Sequence, residues 1–352
     1  MNAGKAGSAR TEFHRVLVTG ASGCIGRCIV QHSVAEGCQV NALDLDGAGL
    51  QRIAKSLPEG AVIPFVGGLE DGDLLTRAAA GAEAVFHAAA KVHSIPRAPR
   101  EEAEFFRVNV EGTENLLRHL DTTDLRAFVL FSTISVYGAG DGTPFTESSP
   151  LNPENAYSRS KLESEQRVEA FFAARAIKPV IFRMSLVYGE GERGNFSRMM
   201  SSVDAGRFAM VGGGRTRKSM IYVGDVARAA LLAARSSVAR GETFVLSDPE
   251  PYPLRQVTAV LARYLGVRPP WVRLPAPLLR AGGSVLDLLG RGFGSRLKFS
   301  RDDVDKLLTD TVCDVKKIRR TLGFEPHYGL EEGVRRTVQW YREQQARGGE
   351  VR

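Results

Sequence analysis

The chain has 352 residues, 43% hydrophobic and 25% charged, enough for a large core in one domain or two unequal ones. Its formal charge of +7 favours anionic partners. The Lys and Arg residues are dispersed, with no polybasic block or aromatic-basic alternation, so a phosphorylated small molecule is expected and no nucleic acid.

Residues 1–12 are small and polar, and are expected to form a disordered tail, neither a signal peptide nor a membrane span. Cys24, Cys28, Cys38 and Cys313 lack the paired spacing of metal ligands, so no metal is expected. Cys24 and Cys28 read as buried small apolar residues, and a reducing cytoplasm is the expected setting.

Val16-Leu17-Val18 reads as a buried parallel strand ending at Thr19-Gly20. The turn Gly20-Ala21-Ser22-Gly23-Cys24-Ile25-Gly26 follows and opens a helical pattern through Ile29, Val30 and Val34. Strand, glycine turn and helix in this order make a dinucleotide site. Gly20 permits the tight turn, Gly23 lets backbone approach a pyrophosphate, and Gly26 lets helix and strand pack closely. Ser22, Cys24 and Ile25 lie in the same turn and count with it as cofactor contacts. The second strand, Gln39 to Leu43, ends at Asp44, whose carboxylate suits the adenosine ribose hydroxyls and repels a 2′-phosphate. NAD is therefore the expected cofactor, with Arg27 and Arg52 the residues that speak for NADP.

A third unit leads from the strand Ala61 to Val66, through a helical segment at Leu74 to Ala79, into the strand Ala84-Val85-Phe86-His87. Ala88, Ala89 and Ala90 follow, small enough for the strand end to approach a cofactor. His87 reads as structural rather than as a base. Lys91 to Glu104 reads as a loop overhanging the site, and Phe105 to Leu120 as a helix carrying Asn109. The next strand, Ala127 to Phe131, delivers Ser132, Thr133 and Ser135 to a carboxyl end, where open parallel sheets bind ligands. Tyr157 and Lys161 share one helix face one turn apart, so the ammonium can favour the ionised phenol. Such a phenol exchanges protons with a substrate hydroxyl or carbonyl. The strand Pro179 to Arg183 comes next, and Ile221 to Ala234 and Thr243 to Leu246 read as returning sheet elements. This alternation specifies an α/β fold, a doubly wound (Rossmann) parallel sheet with a smaller, interleaved C-terminal substrate lobe. The expected division is 13–190 for the cofactor domain, with returning elements at about 219–247, and 191–218 plus 248–345 for the substrate lobe.

With the glycine turn, Asp44, the hydroxyl-rich strand end and the Tyr/Lys helix in one order, the chain resembles the extended short-chain dehydrogenase/reductases. More narrowly, it is similar to their NAD-dependent epimerase/dehydratase branch, which acts on nucleotide sugars. Phe86 to Ala90, Val108 to Thr113, Arg183 to Gly189 and Leu322 to Pro326 carry further likeness. The resemblance implies a catalytic hydroxyl five positions before Gly138, which is Thr133, with Tyr157 as proton acceptor and Lys161 holding the ribose. It also implies cofactor contacts at Leu69 and Asn109, and a homodimer joined through the helices that hold Asn109 to Leu120 and Tyr157 to Phe172.

Departures from the family pattern narrow the activity. The 4,6-dehydratases of the family carry Asp and Glu after the catalytic Thr, where this chain has Ile134 and Ser135, so elimination is excluded. Gly67-Gly68-Leu69 replaces a Gly-Asp-Leu run at the adenine, leaving only backbone to meet the base there. Leu186 stands where UDP-galactose 4-epimerases place an Asn. The substrate contacts implied are Lys91, Thr133, Ser135, Asn195 at a helix start, and Arg217 with Lys218 for phosphate. A UDP-hexose or UDP-hexosamine 4-epimerase is the leading expectation; the alternatives are a 4-keto-sugar reductase and a 3β-hydroxysteroid-type dehydrogenase. Leu274 to Leu297 is too charged and glycine-rich to span a bilayer, so no integral membrane segment is expected.

Overall fold

A computed structural model of the chain describes residues 13–92, 99–269, 273–274 and 309–346. The expected tail at 1–12 and nearly all of the Leu274 to Leu297 stretch lie outside the described residues. The strands are β1 (Arg15–Thr19), β2 (Gln39–Asp44), β3 (Val62–Val66), β4 (Ala84–His87), β5 (Ala127–Thr133), β6 (Val180–Met184), β7 (Leu186–Tyr188), β8 (Met210–Val211), β9 (Arg217–Lys218), β10 (Met220–Tyr222), β11 (Thr243–Leu246) and β12 (Tyr252–Pro253). The helices are α1 (Cys24–Ala35), α2 (Gly47–Lys55), α3 (Gly72–Ala79), α4 (Pro99–Phe106), α5 (Gly112–Arg118), α6 (Ala156–Phe172), α7 (Asn195–Asp204), α8 (Val223–Arg235), α9 (Leu254–Leu265), α10 (Lys316–Leu322) and α11 (Leu330–Ala346).

Seven strands form one parallel sheet in the order β11-β6-β5-β4-β1-β2-β3. Helices cover both faces, which is why β4 and β5 are apolar almost throughout instead of alternating. Val16, Val18, Val129 and Phe131 point to the side of α1 and α8, where Ile29, Val30 and Leu231 meet them. Leu17, Phe128 and Leu130 point to the other, against Leu74, Leu75 and Phe172. The strand order reverses between β1 and β4, so the crevice for a ligand opens at the ends of those two strands. A separate cluster of Tyr188, Phe196, Met200, Leu261 and Val334 gathers α7, α9 and α11, and Cys24, Ile25 and Cys28 of α1 pack against it. The start of α1 is thereby held between the sheet and the second cluster.

Three expectations are adjusted. The loop expected at 91–104 gives way to α4 from Pro99, with Glu101 and Glu102 in its first turn; a fixed φ and acidic residues both suit a helix start. The helix expected from Phe105 to Leu120 is broken by a π turn at Arg107–Glu111, a local widening that recurs at functional sites. Met220–Tyr222 pairs with β7 outside the central sheet, while Thr243–Leu246 does join that sheet, beside β6.

Just past β11, Asp248 is buried, and its N–H donates to the carbonyl of Met220 at 2.9 Å. One carboxylate oxygen accepts from the Tyr252 hydroxyl at 2.9 Å, while the other has no partner among the described residues. Burial pushes this carboxyl up to about 7, and Asp225 repels it further. The folded state therefore binds the proton more tightly than the unfolded chain. The contribution to stability is full below about pH 4, the unfolded value, and is lost as pH rises through about 7. Asp248→Asn should flatten the fall in melting temperature between pH 5 and 8.5 measured by calorimetry; parallel curves for the two proteins would rule the titration out.

Candidate active site

The glycine turn has little room to vary. Gly20 has φ +68°, and a Cβ there would lie 2.7 Å from the Ala89 nitrogen; a Cβ on Gly26 would lie 2.1 Å from the Gly20 carbonyl oxygen. Gly23 is the N-cap of α1, with no side-chain cap and no acidic residue in the first turn. The α1 N–H groups and dipole are thus open to an anion, as a pyrophosphate requires. Ser22 donates its backbone N–H to Asp44 at 3.0 Å, and the Asp46 N–H reaches the other Asp44 oxygen at 2.9 Å, which fixes the half-buried carboxylate. Each oxygen retains accepting capacity for a ribose hydroxyl. Arg52 leans towards Asp46, at 3.4 Å. Leu45 and Val66, 74% and 55% exposed at the ends of β2 and β3, offer apolar surface to a flat base. These features fit the adenosine half of a dinucleotide. Leu69 differs from a side-chain contact: it is buried, and its carbonyl accepts from Asn115 at 2.8 Å. Burial pushes the Cys24 and Cys28 thiols up, so neither is a thiolate.

At the crevice, Ala88 donates its N–H to the Thr19 carbonyl at 3.1 Å, and Ala89 donates to Thr19 Oγ1 at 3.3 Å. His87 is buried between Thr19 Oγ1 at 2.7 Å and Thr113 Oγ1 at 2.9 Å. Burial, with the charge of Lys161, pushes its imidazole down to about 3, so it stays neutral and structural. Asn109, in the π turn, accepts from the Lys91 N–H at 2.7 Å and donates to the Lys91 carbonyl at 3.2 Å and to Ser160 Oγ at 2.9 Å. Its amide is occupied by the protein, which makes it a tether between the end of β4 and α6.

Asn155 caps α6 through a capping box with Ser158, which sets Tyr157 in the first turn of a 17-residue helix. The Thr133 hydroxyl neighbours the Tyr157 phenol closely enough to favour its ionised form, and Thr133 Oγ1 donates to Ser135 Oγ at 3.2 Å. Phe105 meets the Tyr157 ring edge-on at 6.2 Å. Lys161 is only 3% exposed, and burial pulls its ammonium down to about 8 against the opposing pull of Glu165. The phenol is not lowered as the Tyr/Lys spacing predicts: burial pushes it up to about 12, opposed by the neighbouring Thr133 hydroxyl. Desolvation of the phenolate outweighs every nearby donor of the chain itself. Ser132 turns away from this group and donates to Glu165, which also pairs with Arg183 at 2.7 Å.

Four expected substrate contacts are already engaged. Lys91 pairs with Glu104. The Asn195 amide oxygen accepts from Arg198 at 2.9 Å. Arg217 is held by Asp310 at 2.7 Å, and the Lys218 ammonium donates to the Thr309 carbonyl and to Thr311 Oγ1. The sequence reading missed Phe105, Glu165 and Glu192. Only the four-residue step from Lys161 to Glu165 hinted at any of them.

A family model described as "NAD dependent epimerase/dehydratase family" matches residues 16–247. The chain belongs to this family. It is 29% identical over 327 residues to an N-acetyl-α-D-glucosaminyl-diphospho-undecaprenol 4-epimerase of Escherichia coli O157:H7, covering 92% of this chain and 94% of that one. It is 27% identical to a 3β-hydroxysteroid dehydrogenase/Δ5→4-isomerase of Mycobacterium tuberculosis, over 95% and 92% of the two chains. A dTDP-glucose 4,6-dehydratase from Streptomyces venezuelae, solved with NAD bound, superposes with a TM-score of 0.75 at 25% identity, covering 96% of this chain and 100% of that one. As a member of the family this enzyme uses NAD, and the open α1 terminus, the fixed Asp44 and the exposed apolar Leu45 and Val66 are the features fitted to hold it.

Replacing Tyr157 by Phe is expected to lower kcat by about a hundredfold or more while NAD affinity stays within twofold; unaltered turnover would remove the phenol from the chemistry. Asp44→Ala should weaken NAD by roughly tenfold and narrow its advantage over NADP, read by isothermal titration with each dinucleotide.

Proposed function

We propose that the chain transfers hydride reversibly at a secondary alcohol carbon and works as a 4-epimerase on a UDP-hexose or UDP-hexosamine. The observation that carries this reading is the juxtaposition of Thr133, at the end of β5, with Tyr157 in the first turn of α6 and the buried Lys161 one turn on. Thr133 holds the reacting oxygen of the substrate, and Tyr157 takes its proton as the carbon is oxidised to a ketone. Burial keeps the free phenol protonated, so its role as proton acceptor depends on the positive groups that oppose burial: the α6 dipole at its first turn, Lys161 one turn on, and the positively charged nicotinamide that bound NAD would bring. Bound NAD supplies the acceptor and later donor of hydride. Tyr157 returns the proton after the keto sugar has presented its other face, which inverts C4. Ile134 and Ser135 offer no acid or base for elimination, in keeping with epimerisation over dehydration. The likeness, over more than nine-tenths of both chains, to a 4-epimerase of an undecaprenol-diphosphate-linked sugar supports the choice of position.

A second reading, dehydrogenation of an apolar alcohol of the 3β-hydroxysteroid type, is favoured by one observation. Arg217 and Lys218, expected to receive phosphate, are bonded to Asp310, Thr309 and Thr311 instead. Incubation of the purified holoenzyme with UDP-glucose and UDP-N-acetylglucosamine, followed by proton NMR, distinguishes the two. New C4-epimer signals without added NADH are expected. No change in either UDP-sugar, with NADH consumed when a UDP-4-keto sugar is supplied, would make the enzyme a reductase, and oxidation of sterols by added NAD with no change in either UDP-sugar would establish the second reading.

A further inference from the structure

The start of α7 carries an anion belonging to the chain itself. Glu192, 6% exposed, lies just before the helix; one carboxylate oxygen accepts the N–H of Gly194, the N-cap, and the other accepts the N–H of Ser197 at 2.7 Å. No other side chain caps α7, and its first turn contains no acidic residue. Asn195 is exposed and turned to Arg198, so it does not compete for these donors. A carboxylate here satisfies orphan N–H groups and the positive end of the helix dipole together.

The position borders the cofactor turn. A Cβ on Gly191, next to Glu192, would lie 3.7 Å from Cys24 Cα and 3.1 Å from Arg27 Nη2, so the segment leading into α7 rests on the first turn of α1. The negative charge of Glu192 also reaches Cys24. A substrate phosphate approaching α7 would meet a buried carboxylate on the donors it needs, with like-charge repulsion added.

We propose that Glu192 is a specificity-determining residue: it fills the anion position at the start of α7, so the enzyme places an uncharged part of its substrate against this turn. This rests on the proposed function together with the expectation that residues 191–218, and so α7, belong to the substrate lobe. The substrates selected are those whose phosphate, if present, is held away from α7.

UDP titrated into the NAD-loaded enzyme by isothermal calorimetry tests this with wild type, Glu192→Gln and Glu192→Ala. Gln keeps a carbonyl acceptor for the helix while removing the charge, which guards against a variant that fails to fold; NAD affinity within twofold of wild type reports an intact cofactor site. Both variants are expected to bind UDP about tenfold tighter than wild type, with the gain shrinking at high salt. Equal UDP affinity in all three proteins, or weaker binding in the variants, would remove Glu192 from substrate selection. C4 inversion by wild type is scored separately. Inversion with equal UDP affinities keeps the epimerase and discards the gate, whereas a gain in the variants without inversion does the reverse.

Discussion

A buried chain of hydrogen bonds couples the cofactor crevice to the helix that bears the candidate catalytic pair. Ala89 N–H donates to Thr19 Oγ1, which faces His87 Nδ1; His87 Nε2 faces Thr113 Oγ1, which donates to the Asn109 carbonyl at 2.5 Å. Because Thr113 uses its proton on that carbonyl, His87 must donate through Nε2 and accept through Nδ1. The neutral imidazole is thus oriented by both neighbours, and burial removes its alternative charged form. From Asn109 the bonds continue into α6 through Ser160 and Ser164. Strand ends at the switch point and the residue next to Lys161 are in this way parts of one satisfied polar network, and such networks favour a single arrangement.

Lys161, next to Ser160 of this network, is a cation with little water around it. A second buried group lies behind it, the Glu165–Arg183 pair with Ser132 and Tyr137 attached. Glu165 supports the ammonium of Lys161 while Arg183 largely neutralises Glu165, so Lys161 stays cationic without forming a direct ion pair. Thr133 and Tyr157 lie about two turns nearer the start of α6 than that pair, at the end of β5, where the proposed reading places the substrate oxygen. The π turn contributes by carrying Asn109 to the Lys91 backbone and Ser160 together.

Much of this was legible from local pattern. The glycine turn announces itself because only glycine tolerates its close approaches, and the parallel strands because two covered faces demand unbroken apolar runs. Thr133, Tyr157 and Lys161 were legible through spacing and likeness to a family. The engagement of Arg217 with Asp310 was not, because those partners are 93 residues apart. Glu192 was passed over for a different reason: a Glu two residues before a glycine has no meaning until the helix it caps is seen.

By itself, then, the order of residues determined the winding of the sheet, the dinucleotide turn with its acidic strand end, and the Tyr/Lys helix, since each depends on groups close together along the chain. Tertiary structure alone decided which charges remain free for a ligand and how far each buried group is shifted. The phenol rises instead of falling, and the start of α7 is filled from within, because desolvation and ion pairing depend on everything that packs around a group, wherever it lies in the sequence.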